Sequence, residues 1–237
     1  MFFEKFFKTI CFTILIMEKI DLNKLGKTVA VICPHDDDGI IGCGGLLNGL
    51  SSKNIKTYAI IMTDGSLGYS KAEQKNTISK IREREAEEAY KLLDTEVIFL
   101  GFPDMCLHSY ICWKTPDGKE GGYYKLLKTL REIKPDTLFI PNSTDRHPDH
   151  QDAYDIASVC SFQLEEPVAV ELGKPVKIKN IFSYKVWDKL KKETHIFKLN
   201  KEEKEIKKSA ISEFKSQEEI LKNVDINYEK EEFSLIK

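Results

Sequence analysis

Neither charge is in excess in this 237-residue chain: 36 Lys and Arg stand against 38 Asp and Glu, a net charge of -2. That balance excludes a general nucleic-acid binder, which needs a basic face. There is no internal repeat and no low-complexity tract, so solenoid and fibrous classes drop out. Near the N-terminus the longest charge-free apolar run, Thr9 to Met17, falls far short of the ~20 residues of a membrane span. No small-residue cleavage site of the A-x-A type follows it. Cysteines are few (Cys11, Cys33, Cys43, Cys106, Cys112 and Cys160), and none forms a C-x-x-C pair. They read as reduced thiols of a cytoplasmic protein, not as a disulfide framework. Cys106, His108 and Cys112 match no zinc-module spacing and read as incidental.

Residues 1–17 are expected to be a tail: a mis-assigned start with Met17 as the true one, a disordered stretch, or a weak membrane segment. Residues 18–237 are expected to form one domain, since a hydrophobic content of 41% with 31% charge is ordinary for a globular protein. Membrane association is not expected, and a homo-oligomer is left open.

Apolar runs alternate with amphipathic segments from residue 28 onward. Thr28–Cys33 is an unbroken β-rich run, the pattern of a strand buried on both faces. The same reading predicts strands at Lys56–Met62, Glu96–Leu100, Thr137–Pro141, Val176–Trp187 and Thr194–Leu199. Helices are predicted at 42–51, 77–93, 122–133, 148–162 and 201–222. This alternation predicts an α/β fold: a Rossmann-like, mostly parallel sheet with helices on both faces.

Two clusters carry the chemistry. Pro34-His35-Asp36-Asp37-Asp38 follows the first strand, and Asp145-Arg146-His147-Pro148-Asp149-His150 follows the fourth. Open α/β sheets place their sites at such strand ends. Together the clusters hold three of the five histidines. His35 and Asp38 stand three apart, as do His147 and His150, and Pro148 suits the first turn of a helix. Hydrolytic zinc takes three protein ligands and keeps one position open. The clusters can supply His, Asp and His to one Zn2+ ion, with a spare carboxylate, Asp37, as base. A protonated His147 would stabilise an oxyanion, and Asp149 would fix the tautomer of an imidazole.

At these residues the chain resembles the LmbE-like, or PIG-L-type, N-acetylglucosaminyl deacetylases. The family's His-Pro-Asp-Asp-Glu motif with its trailing glycines aligns with His35, Asp37, Asp38, Gly42, Cys43, Gly44 and Gly45. Arg82, Glu85 and Ala89 resemble its R-x-x-E-x-x-x-A helix, His147-Pro148-Asp149-His150 its second motif, and Ser216-Gln217 its closing S-Q pair. The resemblance implies an LmbE-like fold and a deacetylase acting on N-acetylamino sugars, often N-acetylglucosamine joined to inositol, malate or another aglycone. It implies His35, Asp38 and His150 as zinc ligands, Asp37 as general base, and His147 as electrophilic partner oriented by Asp149. Arg82 would anchor the substrate near the pocket mouth. Two positions depart from the motif. Asp36 replaces proline; facing the metal, it would strengthen cation binding and raise the pKa of Asp37. Gly39 replaces glutamate.

Two rivals share these residues. A two-metal phosphoesterase would recruit Asp36, Asp64, Asp104 and Asp145 as further ligands. A sugar-binding protein would keep the pocket without turnover. A nicotinamide-binding Rossmann domain is excluded, because Gly39, Gly42, Gly44 and Gly45 do not spell G-x-G-x-x-G.

Overall fold

Alternation within Thr28–Cys33 sends Val29, Val31 and Cys33 into one apolar cluster and Ala30 and Ile32 into another, so this strand is buried on both sides. The computed structural model describes residues 17–237; the readings made for residues 1–16 lie outside the described residues. In chain order the strands are β1 (Glu18–Lys19), β2 (Thr28–Cys33), β3 (Lys56–Thr63), β4 (Thr95–Phe102), β5 (Thr137–Ile140), β6 (Asn180–Tyr184), β7 (His195–Lys198) and β8 (Lys230–Leu235). The helices are α1 (Asp38–Ser51), α2 (Ile78–Lys91), α3 (Gly122–Ile133), α4 (Pro148–Glu165), α5 (Lys201–Ser212) and α6 (Glu218–Leu221). The strands form one sheet in the order β1-β7-β8-β6-β5-β2-β3-β4. Pairing is parallel from β4 through β6, while β8 runs antiparallel between β6 and β7.

Helices α1, α2 and α5 cover one face and α3 and α4 the other, as the two apolar clusters show. The expected α/β architecture with helices on both faces is therefore observed. Among the described residues no helix is long and apolar enough to cross a membrane.

From β2 the chain winds outward through β3 to β4, then returns to β5 on the other side of β2. The β2–β5 seam is thus a topological switch point, where the strand ends leave a crevice. The loops after these two strands carry the His35 and His147 clusters.

Several boundaries differ from the sequence reading. Helix α1 begins at Asp38 rather than 42, because Ile40 and Ile41 already bond back to the Asp37 carbonyl. The helix predicted over 201–222 breaks after Ser212. Phe214 is buried there, and Ser216 turns to give its N–H and hydroxyl to the Glu85 carboxylate at 2.9 and 2.6 Å. Strand β8 was not predicted: Lys-Glu-Glu reads as a solvated face, yet Glu231 is buried.

Glu231 accepts the N–H groups of Gly45 and Leu46 at 2.7 and 2.8 Å and pairs with Lys207 at 2.7 Å. Lys207, fully buried, also donates to the Ile41 carbonyl at 2.8 Å. This pair ties β8 and α5 to α1, the helix whose first turn holds Asp38. Breaking one side of a buried pair costs about 3–5 kcal/mol. A Lys207→Ala protein is expected to lose stability of that order, read as a lowered urea midpoint. Gly42 permits another close approach: a Cβ there would overlap the Tyr184 ring, whose hydroxyl bonds the Ile32 carbonyl at 2.8 Å.

Candidate metal centre

His35 lies in the short loop between β2 and α1, and Asp38 opens α1. The His35 N–H donates to Asp38 Oδ2 at 2.8 Å, which folds the carboxylate back under the imidazole. His147 caps α4, Pro148 takes its first turn, and the His150 N–H bonds the His147 carbonyl at 3.1 Å. That turn lifts the buried His150 to meet His35 across the β2–β5 seam.

Three donor atoms then face one another. His35 Nδ1 is 3.2 Å from His150 Nε2 and 3.2 Å from Asp38 Oδ2, and His150 Nε2 is 3.1 Å from that oxygen. Zinc at its usual ~2.0–2.2 Å from nitrogen and oxygen sets tetrahedral ligands about this far apart. Two imidazole nitrogens so close repel through their lone pairs unless a proton or metal ion lies among them. Burial by itself lowers both imidazoles, yet Asp104, Asp149 and Asp38 hold His35 well above its ordinary range. For His150, Asp38 and Asp145 outweigh burial and raise it to about 9. Burial raises Asp38, but His150 and His35 outweigh it and hold that carboxyl below the carboxylate range. A donor set that concentrates cationic charge in this way fits a dication, whose binding displaces the protons.

The outer nitrogens are held too. His35 Nε2 faces Asp104 Oδ1 at 3.3 Å and Asp149 Oδ2 at 3.6 Å. Asp145 Oδ2 lies 3.4 Å from His150 Nδ1, an off-line charge contact. Asp145 is fully buried and also accepts the N–H groups of His147 and Trp187 at 3.1 and 3.0 Å. Such outer partners typically carry 10–100-fold of metal affinity. Asp145→Asn is accordingly expected to weaken zinc binding by about that factor, measured by chelator competition.

His35, His147 and His150 form a further group able to approach a cation, and His35, Asp104 and Asp149 another. Its carboxylates are already engaged: Asp149 accepts Met105 and Leu107 N–H at 2.7 and 3.2 Å, and Asp104 accepts Leu67 N–H at 3.0 Å. They brace the ring of His35 and the loops beside it.

Two expectations are corrected here. Asp149 does not orient His147: its oxygens are spent on Met105, Leu107 and His35, and His147 Nδ1 is buried without a partner. Protonation of His147 is also disfavoured: burial, then the neighbouring His35 and His150, lower it to about 4. It stands edge-on to His35 with ring centroids 4.7 Å apart.

Asp37 caps α1 without bonding it; its carboxylate faces the cavity, with Oδ1 3.7 Å from Arg82 Nη2. Burial raises it to about 7; Arg82 opposes this, while Asp36 and Asp38 add to it. Asp36 turns away from the ligand triad. It grips Arg82, accepting Nε at 2.9 Å and also Nη2. Arg82 is thus only 5% exposed, lodged beneath the Gly65–Gly68 loop, where a Cβ at either glycine would overlap it. At Gly39, a Cβ would strike Cys33 Sγ and the Tyr90 hydroxyl, so a glutamate has no room there.

A cavity of about 230 Å³ opens over these groups. Ile41, Leu67, Met105, Trp187, Ile220 and Val224 give it an apolar wall, and Gln217 reaches it from the broken helix. Trp187 and Gln217 escaped the sequence reading as wall residues, although Trp187 follows a strand end just as the two clusters do. Asp104 was read only as a two-metal ligand; its place after β4 was the available signal. Tyr110, Trp113 and Tyr123 pack against the apolar core, and none lines this cavity. A larger cavity of about 590 Å³ lies at the opposite ends of β3 and β4 and contains no histidine.

Known proteins share this arrangement of chain. Diacetylchitobiose deacetylase of Thermococcus kodakarensis is 28% identical over 132 residues, 54% of this chain and 46% of that protein. The chain therefore aligns with about half the length of this relative. The structure of N,N'-diacetylchitobiose deacetylase from Pyrococcus horikoshii superposes with a TM-score of 0.74 at 23% identity, covering 92% of this chain and 87% of that one. The 4-carboxy-2-hydroxymuconate hydratase of Pseudomonas putida KT2440 has the same fold, with a TM-score of 0.68 at 17% identity over 84% and 82% of the two chains. The family model for GlcNAc-PI de-N-acetylase (PIG-L) matches residues 30–161, a span running from β2 into α4 and enclosing both histidine clusters. This chain belongs to the PIG-L family.

Proposed function

We propose that this protein is a hydrolase, dependent on one zinc ion per chain, that removes the acetyl group from an N-acetylated amino sugar. The observation that carries the reading is the 3.1–3.2 Å triangle of His35 Nδ1, Asp38 Oδ2 and His150 Nε2 beside the buried Asp37 carboxylate, whose Oδ1 lies 3.7 Å from Arg82 Nη2. Those three residues would hold the zinc ion, which would supply Lewis acidity for the amide carbonyl and lower the pKa of water to ~7.

The remaining work falls to the chain's own groups. Asp37 accepts a proton from the attacking water and returns it to the departing nitrogen, so acetate and a free amine result. His147, a neutral donor, bonds the carbonyl oxygen as negative charge grows on it. Asp149 keeps His35 in place and closes the loop at Met105 and Leu107. Arg82 keeps Nη1 for one hydrogen bond to a substrate hydroxyl. The cavity of about 230 Å³ is below the ~300–1,000 Å³ typical of drug-sized ligands, enough for one sugar unit and its acetamide. Cys33, Cys43, Cys106, Cys112 and Cys160 are free thiols, which fits a reducing cytoplasm.

A two-metal phosphoesterase needs ions ~3.5–4 Å apart. Here the His35–Asp38–His150 and His35–Asp104–Asp149 groups approach opposite nitrogens of the same His35 ring, too far apart for such a pair. The test is direct: zinc-loaded protein is incubated with a panel of N-acetylamino sugars, and acetate and amine are quantified. Equimolar release of both is expected. A zinc-loaded protein inert toward the whole panel, or one that acts on 4-carboxy-2-hydroxymuconate instead, would overturn the reading.

A further inference from the structure

Arg82 is the one Lys or Arg side chain among the described residues that lines the cavity. Its charge is already committed. Asp36 takes the Nε and Nη2 edge of the guanidinium, the edge that would otherwise clasp a carboxylate or phosphate in a forked pair. Proline, the motif's usual residue at this position, has no side chain that could do this. Cations within two residues of lining positions are paired as well: Arg146 with Asp188, Lys185 with Asp225, and Lys222 with Glu219. The same cavity carries three aspartates, Asp37, Asp38 and Asp104. A bound dication offsets two of these charges and leaves the third.

We propose that this pocket selects N-acetylated amino sugars whose remaining part is uncharged or cationic, and rejects those carrying a carboxylate or phosphate, because Asp36 already pairs with Arg82, the one Lys or Arg lining the cavity among the described residues. The inference rests on the deacetylase reading and narrows its substrate class. It also assigns Asp36 as a positioning residue that sets specificity through Arg82.

The experiment compares two conjugates with the same acetamide, N-acetylglucosamine joined to inositol and to malate, using the full-length zinc-loaded protein. At low ionic strength kcat/KM for the inositol conjugate is expected to exceed that for the malate conjugate by about 100-fold, the scale of like-charge juxtaposition. Salt screens the repulsion, so KM for the malate conjugate falls as ionic strength rises. In Asp36→Asn the freed guanidinium shrinks the preference by about tenfold, read as the ratio of kcat/KM for the two conjugates, in which any change at Asp37 common to both substrates cancels. Equal kcat/KM for the two conjugates, or a malate KM that rises with salt in the wild type, overturns the proposal whether or not the variant folds. Should neither conjugate nor any other N-acetylamino sugar of the panel be turned over, the deacetylase reading is what has failed. Calorimetric Kd values for the two conjugates then decide the charge preference: equal affinities or tighter malate binding refute it, and tighter inositol binding supports it.

Discussion

His150→Ala protein is expected to lose its zinc, and its deacetylation is expected to fall by about 1,000-fold or more, well beyond the 10–100-fold that outer partners carry. The reason is geometric. His150 is fully buried and its Nε2 closes a triangle with His35 and Asp38. Alanine leaves two donors, too few for the three protein ligands of a hydrolytic zinc site. Asp38 would then lose its chief cationic neighbour. Metal content by elemental analysis and activity on the best substrate should fall together. A circular dichroism spectrum like the wild type's would show that α4 still forms.

Asp37→Asn is expected to separate metal from turnover. Loss of a general base typically costs 10²–10⁴-fold, and kcat should drop by about that amount with KM nearly unchanged. Zinc stays, because none of the three ligand atoms belongs to Asp37. The wild-type pH profile carries the same signature. A base must be ionised to accept a proton, so activity falls as pH drops through its pKa. Burial places that value at about 7, with Arg82 drawing it down and Asp36 and Asp38 pushing it up; a dication beside it draws it down further. The acid limb is therefore expected between the ordinary carboxylate value of ~4 and 7. Asp37→Asn should lack this limb. A variant that keeps wild-type kcat would remove Asp37 from the chemistry.

What the sequence revealed and what it hid follow from the range of the interactions. β2 was legible because its apolar run is continuous, and both clusters were legible because each abuts a strand end. Their convergence followed from the alternation of strands and helices, which places β5 beside β2. Hidden were features set by partners distant in the chain. Asp36 looked like a further metal-facing carboxylate; only the fold brings Arg82, 46 residues away, to claim it. Asp149 looked like the partner of His147, two positions before it, whereas tertiary contacts bind it to the Met105–Leu107 loop. β8 escaped because its buried Glu231 is matched to Lys207, 24 residues upstream. Ser216 broke a predicted helix through Glu85, 131 residues away.

The proposed function rests on one cation held between the β2 and β5 strand ends. An anomalous difference map, recorded at the zinc edge from crystals of the zinc-loaded protein, tests this most directly. One peak per chain is expected, bonded by His35 Nδ1, Asp38 Oδ2 and His150 Nε2. A peak bonded instead by His35 Nε2, Asp104 and Asp149, or a pair of peaks, would contradict it.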